Sequence, residues 1–107
     1  MVTMITLHLL AQENFDQAIA LLKINTELSR KAKGFISRNI YFSSKNHLKG
    51  YSVTTWETRE DCDNFAASPE RPPLKAEGDL VYEITDSGPV LLFTYTDSDI
   101  FEVMDVP

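Results

Sequence analysis

The chain contains two successive units in which a strand pattern is followed by a helix pattern and then by another strand pattern. Alternating apolar residues predict strands, and apolar residues three and four apart predict helices. The predicted elements are strands over 3–10, 35–42 and 51–57, a helix over 14–33 and a short helix from 58. This order is the split βαβ arrangement of a ferredoxin-like sheet. The sequence therefore predicts an α+β fold with both helices on one sheet face and a second face that needs a cover.

The helix boundaries depend on capping residues. Asn14 precedes the first helix as a candidate cap, and Gly34 can take the left-handed conformation beyond its end. Thr58 stands before the second helix, with Asp61 at its third position. These residues predict a first helix that ends near residue 33 and a second helix that begins just after the strand ending in Trp56.

The second half of the chain is harder to assign. Residues 79–86 alternate like a strand, but Asp79 and the Gly88-Pro89 pair can also bracket a short helix, which is the preferred interpretation. The runs VLLFTYT and DIFEVMDVP that follow are expected to form one long, bent strand. The strand over 35–42 carries aromatic or branched residues on both faces, which predicts that both faces are covered.

Length and charge limit the classes of function. The 107 residues suit a single domain over 1–107, and 43% hydrophobic with 24% charged residues is typical of a globular protein. A formal charge of -6 removes the general attraction to nucleic acid and to anionic lipid. The first 15 residues lack a basic region, and their apolar run is too short to span a bilayer. We therefore expect no nucleic-acid or membrane partner, and a cytoplasmic location.

The metal-ligating residue types are scattered. Cys62 is the only cysteine, and neither His8 nor His47 lies close to it in sequence. A zinc site needs clustered ligands, and a nucleotide cofactor commonly needs a Gly-rich phosphate loop, which the chain lacks. The sequence predicts no metal and no cofactor.

The stretch VTTWETREDCDNFAASPE, residues 53–70, resembles the antibiotic biosynthesis monooxygenase family of dimeric α+β barrels. The resemblance covers roughly residues 3–75 and centres on Trp56-Glu57-Thr58, followed by Arg59-Glu60 and by Phe65. It implies that two ferredoxin-like subunits pack sheet to sheet as a homodimer. It also implies that the C-terminal strand region, about residues 90–107, reaches across to the partner and covers the bare sheet face.

The resemblance implies a cofactor-independent monooxygenase for a small aromatic or enolisable metabolite, in which the substrate becomes a carbanion and reduces oxygen. Trp56 is then one wall of the pocket, although a core aromatic between strand and helix is an equal interpretation. Phe65 and Leu7 are further candidate substrate contacts. Some family members place an asparagine four residues before the tryptophan, and Ser52 holds that position here. Its hydroxyl could orient a carbonyl, with a shorter reach than an amide.

Two charged or titratable residues complete the candidate site. His8 is a candidate general base, or a structural histidine. Arg38 could bind an anionic or enolate oxygen, or form a salt bridge with Glu57. A related branch of the family degrades haem with a histidine on the second helix, which has none here. The alternative function is a non-oxygenase dimeric barrel that binds a small metabolite or acts in a stress response.

Overall fold

The computed structural model describes residues 1–104 of the chain. The elements are β1 Val2–Leu10, α1 Phe15–Arg30, β2 Phe35–Phe42, β3 Lys49–Trp56, α2 Arg59–Ala66, β4 Leu74–Glu77, β5 Leu80–Thr85 and β6 Gly88–Glu102. A 3-10 turn over Gln12–Asn14 leads into α1. The long final strand is confirmed as far as Glu102, and residues 105–107 of that prediction lie outside the described part of the chain.

One antiparallel sheet holds all six of these strands in the order β2-β3-β1-β6-β5-β4. The first four strands in that order form a ferredoxin-like sheet, and both helices pack on one of its faces. The predicted α+β, ferredoxin-like fold is confirmed. The hairpin β4–β5 extends the sheet beyond β6, and its position there brings residues after α2 back over the helix-bearing face.

The prediction of a helix over residues 79–86 is wrong, because Leu80–Thr85 forms strand β5. Gly78 has a φ of 60°, and with Asp79 it forms a tight turn between β4 and β5. Strand β5 pairs with β4 on one side and with β6 on the other. The backbone bonds of a two-sided ladder outweigh the weak local helix signal at Asp79.

The capping predictions have mixed outcomes. The Thr58 hydroxyl accepts a hydrogen bond from the backbone N–H of Asp61 at 3.1 Å, so the cap of α2 is confirmed. Gly34 has a φ of 82°, as predicted, but α1 already ends at Arg30 and a turn follows. Asn14 occupies the N-cap position of α1, as predicted, but its side chain forms no capping bond, and its Nδ2 donates to the Leu91 carbonyl at 2.8 Å. Asn14 thus ties the start of α1 to β6.

Strand β2 is an edge strand of the sheet. Arg38 and Ile40 are half-buried on its helix-bearing side, whereas Asn39 and Tyr41 on the other side are exposed. The prediction that both faces of this strand are covered is therefore wrong for the single chain. The apolar residues on the outer side of β2 belong to an edge strand whose second face is open in the described chain.

The helix-bearing face of the sheet supports two apolar clusters. The larger cluster joins α1 to β1 and β6 through Leu10, Ala18, Leu21, Leu22, Leu92 and Phe93. The smaller cluster joins β1, β3 and α2 through Val2, Trp56 and Cys62. Polar residues of β1 and β3 separate the clusters, since Thr6, His8, Ser52 and Thr54 are all buried on this face.

The other sheet face has no cover within residues 1–104. Leu7 lies on this face and pairs with Tyr51, which pairs in turn with Tyr41. Tyr41 is 57% exposed and Phe101, near the end of β6, is 49% exposed. An apolar row of this kind across neighbouring strands is typical of an interaction surface.

No helix in the described part of the chain is long and apolar enough to cross a membrane.

Candidate functional site

A cavity of about 290 Å³ lies on the helix-bearing face of the sheet, between the two apolar clusters. Both helices, all six described strands and the segment joining α2 to β4 contribute residues to its lining. Its volume is at the lower end of the range of about 300–1,000 Å³ for small-molecule sites. A single-ring or short-chain molecule fits this space better than a polycyclic one.

Aromatic rings form the wall of the cavity at the end of β3. Trp56 is only 1% exposed and its ring centroid lies 5.1 Å from that of Phe65 on α2. Phe35 contacts the same indole edge-on, at 6.0 Å. Trp56 stands here because β3 must end before the helix that Thr58 caps. One part of the indole packs in the core and another lines the cavity.

His8 and Ser52 form a buried polar pair on the floor of the cavity. His8 Nε2 and Ser52 Oγ are 3.0 Å apart. Gly50 pairs directly with His8 and has no side chain, so the imidazole can reach diagonally to Ser52 on the same strand. The ring also packs on Phe93, with centroids 4.8 Å apart. His8 Nδ1 is buried and has no hydrogen-bond partner within residues 1–104.

The environment keeps the His8 imidazole neutral. Burial, and secondarily the positive charge of Arg38, lower the pKa of His8 from 6.5 to about 4. At pH 7 the ring is therefore unprotonated and has one nitrogen free to accept a proton. Its basicity is low, for the same two reasons.

Arg38 reaches into the cavity from β2 and is held by two threonines. Its Nε donates to Thr26 Oγ1 at 2.8 Å, and its Nη1 donates to Thr54 Oγ1 at 2.9 Å. Glu57 is exposed beyond the end of β3, and the proposed salt bridge between Glu57 and Arg38 is not formed. Burial, and then the charge of Arg71, lower the pKa of Arg38 to about 10. The guanidinium remains a cation at pH 7.

Arg71 is a cavity residue that the sequence analysis missed. It lies between α2 and β4, where the prolines around it indicated only the end of a helix. Its Nη1 donates to the Ala66 carbonyl at 3.1 Å, and its guanidinium lies over the Phe65 ring at 5.3 Å. Arg71 Nε is buried without a hydrogen-bond partner in the described chain. A pattern in the sequence could not have identified it, because its neighbours come from other elements.

Two neutral polar residues of the lining were also missed. Asn25 is buried on α1, and its Oδ1 has no partner within residues 1–104. A signal existed, since Asn25 lies on the apolar stripe of α1 with Leu21 and Leu22. Thr96 on β6 lines the cavity, and its Oγ1 has no partner in the described part of the chain. No local pattern in the sequence indicates its role.

The structure brings together five of the six predicted site residues. The five that line the cavity are His8, Arg38, Ser52, Trp56 and Phe65. Leu7 does not line it, because the alternation of β1 places Leu7 on the opposite sheet face from His8. The candidate site is therefore built without Leu7.

The cavity is positively charged, although the chain carries -6 overall. Arg38 and Arg71 both line it, and no Asp or Glu is among its lining residues in the described chain. Residues 1–104 also contain no group of three His, Cys, Asp or Glu side chains that could hold a metal ion. The chemistry on offer is that of a neutral imidazole, hydroxyls and two guanidinium groups.

Neither a protein-family model nor a curated protein sequence matches the chain. Its fold, in contrast, matches solved structures over nearly the whole length. SnoaB from Streptomyces nogalater, described as a cofactor-independent oxygenase, is 8% identical with a TM-score of 0.67, and the match covers 98% of this chain and 94% of that one. Rv0793 from Mycobacterium tuberculosis is 16% identical with a TM-score of 0.70, over 98% and 96%.

A crystal structure described as an antibiotic biosynthesis monooxygenase matches at 14% identity and a TM-score of 0.64, with both chains covered over 100%. Identities this low establish a shared fold. The resemblance drawn from Trp56 and its neighbours is thus confirmed at the level of the fold.

Proposed function

We propose that the protein is a cofactor-independent oxygenase of a small aromatic or enolisable metabolite. The observation that carries this proposal is the neutral His8 imidazole, buried in a cavity walled by Trp56, with Nδ1 free and Nε2 held by Ser52. A neutral imidazole on a residue that lines a ring-sized cavity is a candidate acceptor for a proton from an enolisable carbon. The shared fold with a cofactor-independent oxygenase supports the same proposal.

The 3.0 Å contact between His8 Nε2 and Ser52 Oγ is compatible with either tautomer of His8, and the proposed role of the ring selects one of them. For Nδ1 to accept a proton, the hydrogen of neutral His8 must be on Nε2, which then donates to Ser52 Oγ. The Ser52 hydroxyl hydrogen is then available to donate to a carbonyl or enolate oxygen of the substrate. In this arrangement His8 takes the proton and Ser52 stabilises the negative charge that develops.

The overall reaction uses the substrate as the reductant. A methylene group loses a proton to His8, the resulting carbanion gives its electrons to O₂, and the oxygenated intermediate loses water to leave a carbonyl. The balance is R₂CH₂ + O₂ → R₂C=O + H₂O, in which one oxygen atom enters the product and the other leaves as water. The role of Trp56 and Phe65 is to hold the planar substrate and exclude water from the carbanion.

A second candidate is a non-oxygenase barrel that binds a small metabolite or acts in a stress response. It is favoured by Ser52, which offers one hydroxyl where some related proteins have an amide, and by the low basicity of His8 in the empty cavity. Either activity is compatible with the cytoplasmic location that the sequence predicts.

Oxygen uptake tests the oxygenase proposal. With small enolisable probes that carry an acidic methylene group, such as phenylpyruvate and its neutral methyl ester, the protein is expected to accelerate oxygen consumption measured with an oxygen electrode. His8→Gln is expected to lower kcat by about 100-fold or more, because it removes the proton acceptor. Ser52→Ala is expected to lower kcat by about tenfold or more, because one donor to the developing oxyanion is lost.

His47→Gln is the matched control, since His47 is exposed on the loop before β3 and does not line the cavity. It should leave oxygen uptake unchanged. If ligands bind to the cavity but none of them is oxidised faster than in buffer, the oxygenase proposal fails and the binding protein is favoured.

We also infer that two chains associate through the bare sheet face, with the C-terminal part of β6 contributing to the contact. The support is the uncovered apolar surface that includes Leu7, Tyr41, Tyr51 and Phe101. Burying such a surface against a second copy removes it from water. This surface supports the predicted homodimer.

Light scattering at micromolar concentration should give twice the mass of one chain. Leu7→Arg is expected to shift the protein towards monomer, because a charge would then be buried in the contact. Ile24→Arg is the control, since Ile24 is an exposed apolar residue of α1 on the other side of the molecule. A monomeric wild type contradicts the inference.

A further inference from the structure

Two guanidinium groups line the same cavity without a carboxylate to neutralise them. The ion pairs within residues 1–104 are Arg59–Asp63 and Lys75–Glu77, and both are exposed. Arg38 and Arg71 are in neither pair, and both are only partly accessible to solvent. The positive charge of the cavity is therefore uncompensated by the described chain.

Removing a cation from water is costly unless an opposite charge accompanies it. The partners of Arg38 are two threonine hydroxyls, and the partners of Arg71 are a backbone carbonyl and the face of an aromatic ring. These groups satisfy hydrogen bonds but carry no net charge. Burial lowers the pKa of both groups, and for Arg38 the charge of Arg71 lowers it further. An anion between the two arginines would supply the missing negative charge and would counteract the lowering of both pKa values.

The donors that remain unused match an oxyanion. Arg38 uses Nε and Nη1 for its threonine partners, which leaves Nη2 for a ligand. Arg71 Nε is buried and has no partner in the described chain. Each arginine therefore retains a donor nitrogen, and the two oxygens of a carboxylate can accept one charge-assisted bond from each.

We propose that the ligand of this cavity is a small carboxylic acid, with the carboxylate held by Arg38 and Arg71 and a single planar ring against Trp56 and Phe65. This proposal rests on the ligand-binding part of the proposed function and does not require oxygenation. The cavity volume of about 290 Å³ leaves room for one ring and a short acidic side chain.

The acidic group also has a consequence for His8. The charge of Arg38 is one of the two causes that lower the His8 pKa. A carboxylate on Arg38 offsets that charge, so the bound acid makes His8 a stronger base than it is in the empty cavity. Binding of an acid would thus raise the basicity of His8, whereas binding of a neutral analogue would not.

Matched pairs of acids and amides test the proposal. Benzoate, phenylacetate and 3-phenylpropionate are titrated under nitrogen against benzamide, phenylacetamide and 3-phenylpropionamide. Trp56 is the only tryptophan and lines the cavity, so its fluorescence reports occupancy directly. At least one acid is expected to bind about tenfold or more tightly than its amide, because only the acid forms charge-assisted bonds.

Two substitutions show whether Arg71 and Arg38 are responsible for the preference for acids. Arg71→Gln is expected to remove most of the preference for the acid while leaving amide binding nearly unchanged. Arg38→Gln should do the same, and since it also loses bonds to threonines of α1 and β3, its folding is checked by circular dichroism. Arg71 lies between α2 and β4, so its replacement keeps the test valid if Arg38→Gln fails to fold. Arg59→Gln is the matched control, since it removes an exposed arginine outside the cavity.

Equal binding of acids and amides, or no acid binding up to the solubility limit, overturns the carboxylate site. A preference for acids that survives Arg71→Gln in folded protein overturns the role of that residue. Because the titrations exclude oxygen, their outcome is independent of the oxygenase test. Acid-selective binding without oxygen uptake contradicts only the oxygenase, and oxygen uptake from neutral substrates without acid selectivity contradicts only the carboxylate site.

Discussion

Replacing Trp56 with Ala is expected to lower the free energy of unfolding by about 3–5 kcal/mol. The indole is almost fully buried and packs against Phe35 from β2 and Phe65 from α2, so its removal leaves a hole where three elements meet. Trp56→Phe retains one ring in that space and is expected to cost about 1–2 kcal/mol. Urea denaturation followed by circular dichroism measures both, since the variants lose the fluorescent side chain.

Ile24→Ala is the control for truncation of an exposed apolar side chain, and it is expected to change stability by about 0.5 kcal/mol or less. A loss of less than about 1 kcal/mol in Trp56→Ala would contradict the packing role. The role of Trp56 as a wall of the cavity is tested separately, by calorimetric measurement of ligand affinity on the folded Trp56→Phe protein. If its affinity for the cavity ligand equals that of wild type, with Ser52→Ala also unchanged, this strand face does not form the binding site.

The first half of the fold is predictable because its signals are local. The alternation of β1, the helical spacing of α1 and the Thr58 cap are each set by residues within one element. Two residues of the candidate site can be predicted from local sequence in the same way. Ser52 and Trp56 are four residues apart on one strand, so they must share a face, and the structure places both at the cavity.

The second half depends on contacts that periodicity does not contain. Residues 80–85 are strand because β6 and β4 flank them, and a short segment with turn residues at both ends fits either structure locally. Arg71 acquires its role from Phe65, Arg38 and the hairpin that follows it. A missing salt-bridge partner is visible only once every nearby side chain has been placed. Asn25 is different, since a polar residue on the apolar stripe of α1 was visible in the sequence.

Lowering the pH from 7 to 4 is expected to reduce the free energy of unfolding by about 3 kcal/mol because of His8 alone. In the unfolded chain His8 binds a proton near pH 6.5, whereas in the fold its pKa is about 4. Between these values the unfolded state binds more protons, so the stability that His8 contributes is complete above pH 6.5 and is lost as the pH falls towards 4. Urea denaturation of the ligand-free protein at a series of pH values measures the slope.

His8→Gln isolates this contribution, because the amide can still bond to Ser52 but does not titrate in this range. The difference in unfolding free energy between wild type and His8→Gln should therefore change by about 3 kcal/mol between pH 7 and pH 4. Arg38 and Arg71 line the same cavity and stay charged throughout, and burial raises the pKa of the Cys62 thiol, which stays neutral. His47→Gln, at an exposed position outside the cavity, is the control substitution. If wild type and His8→Gln lose stability in parallel, His8 is not a neutral buried imidazole and the proposed proton acceptor is lost with it.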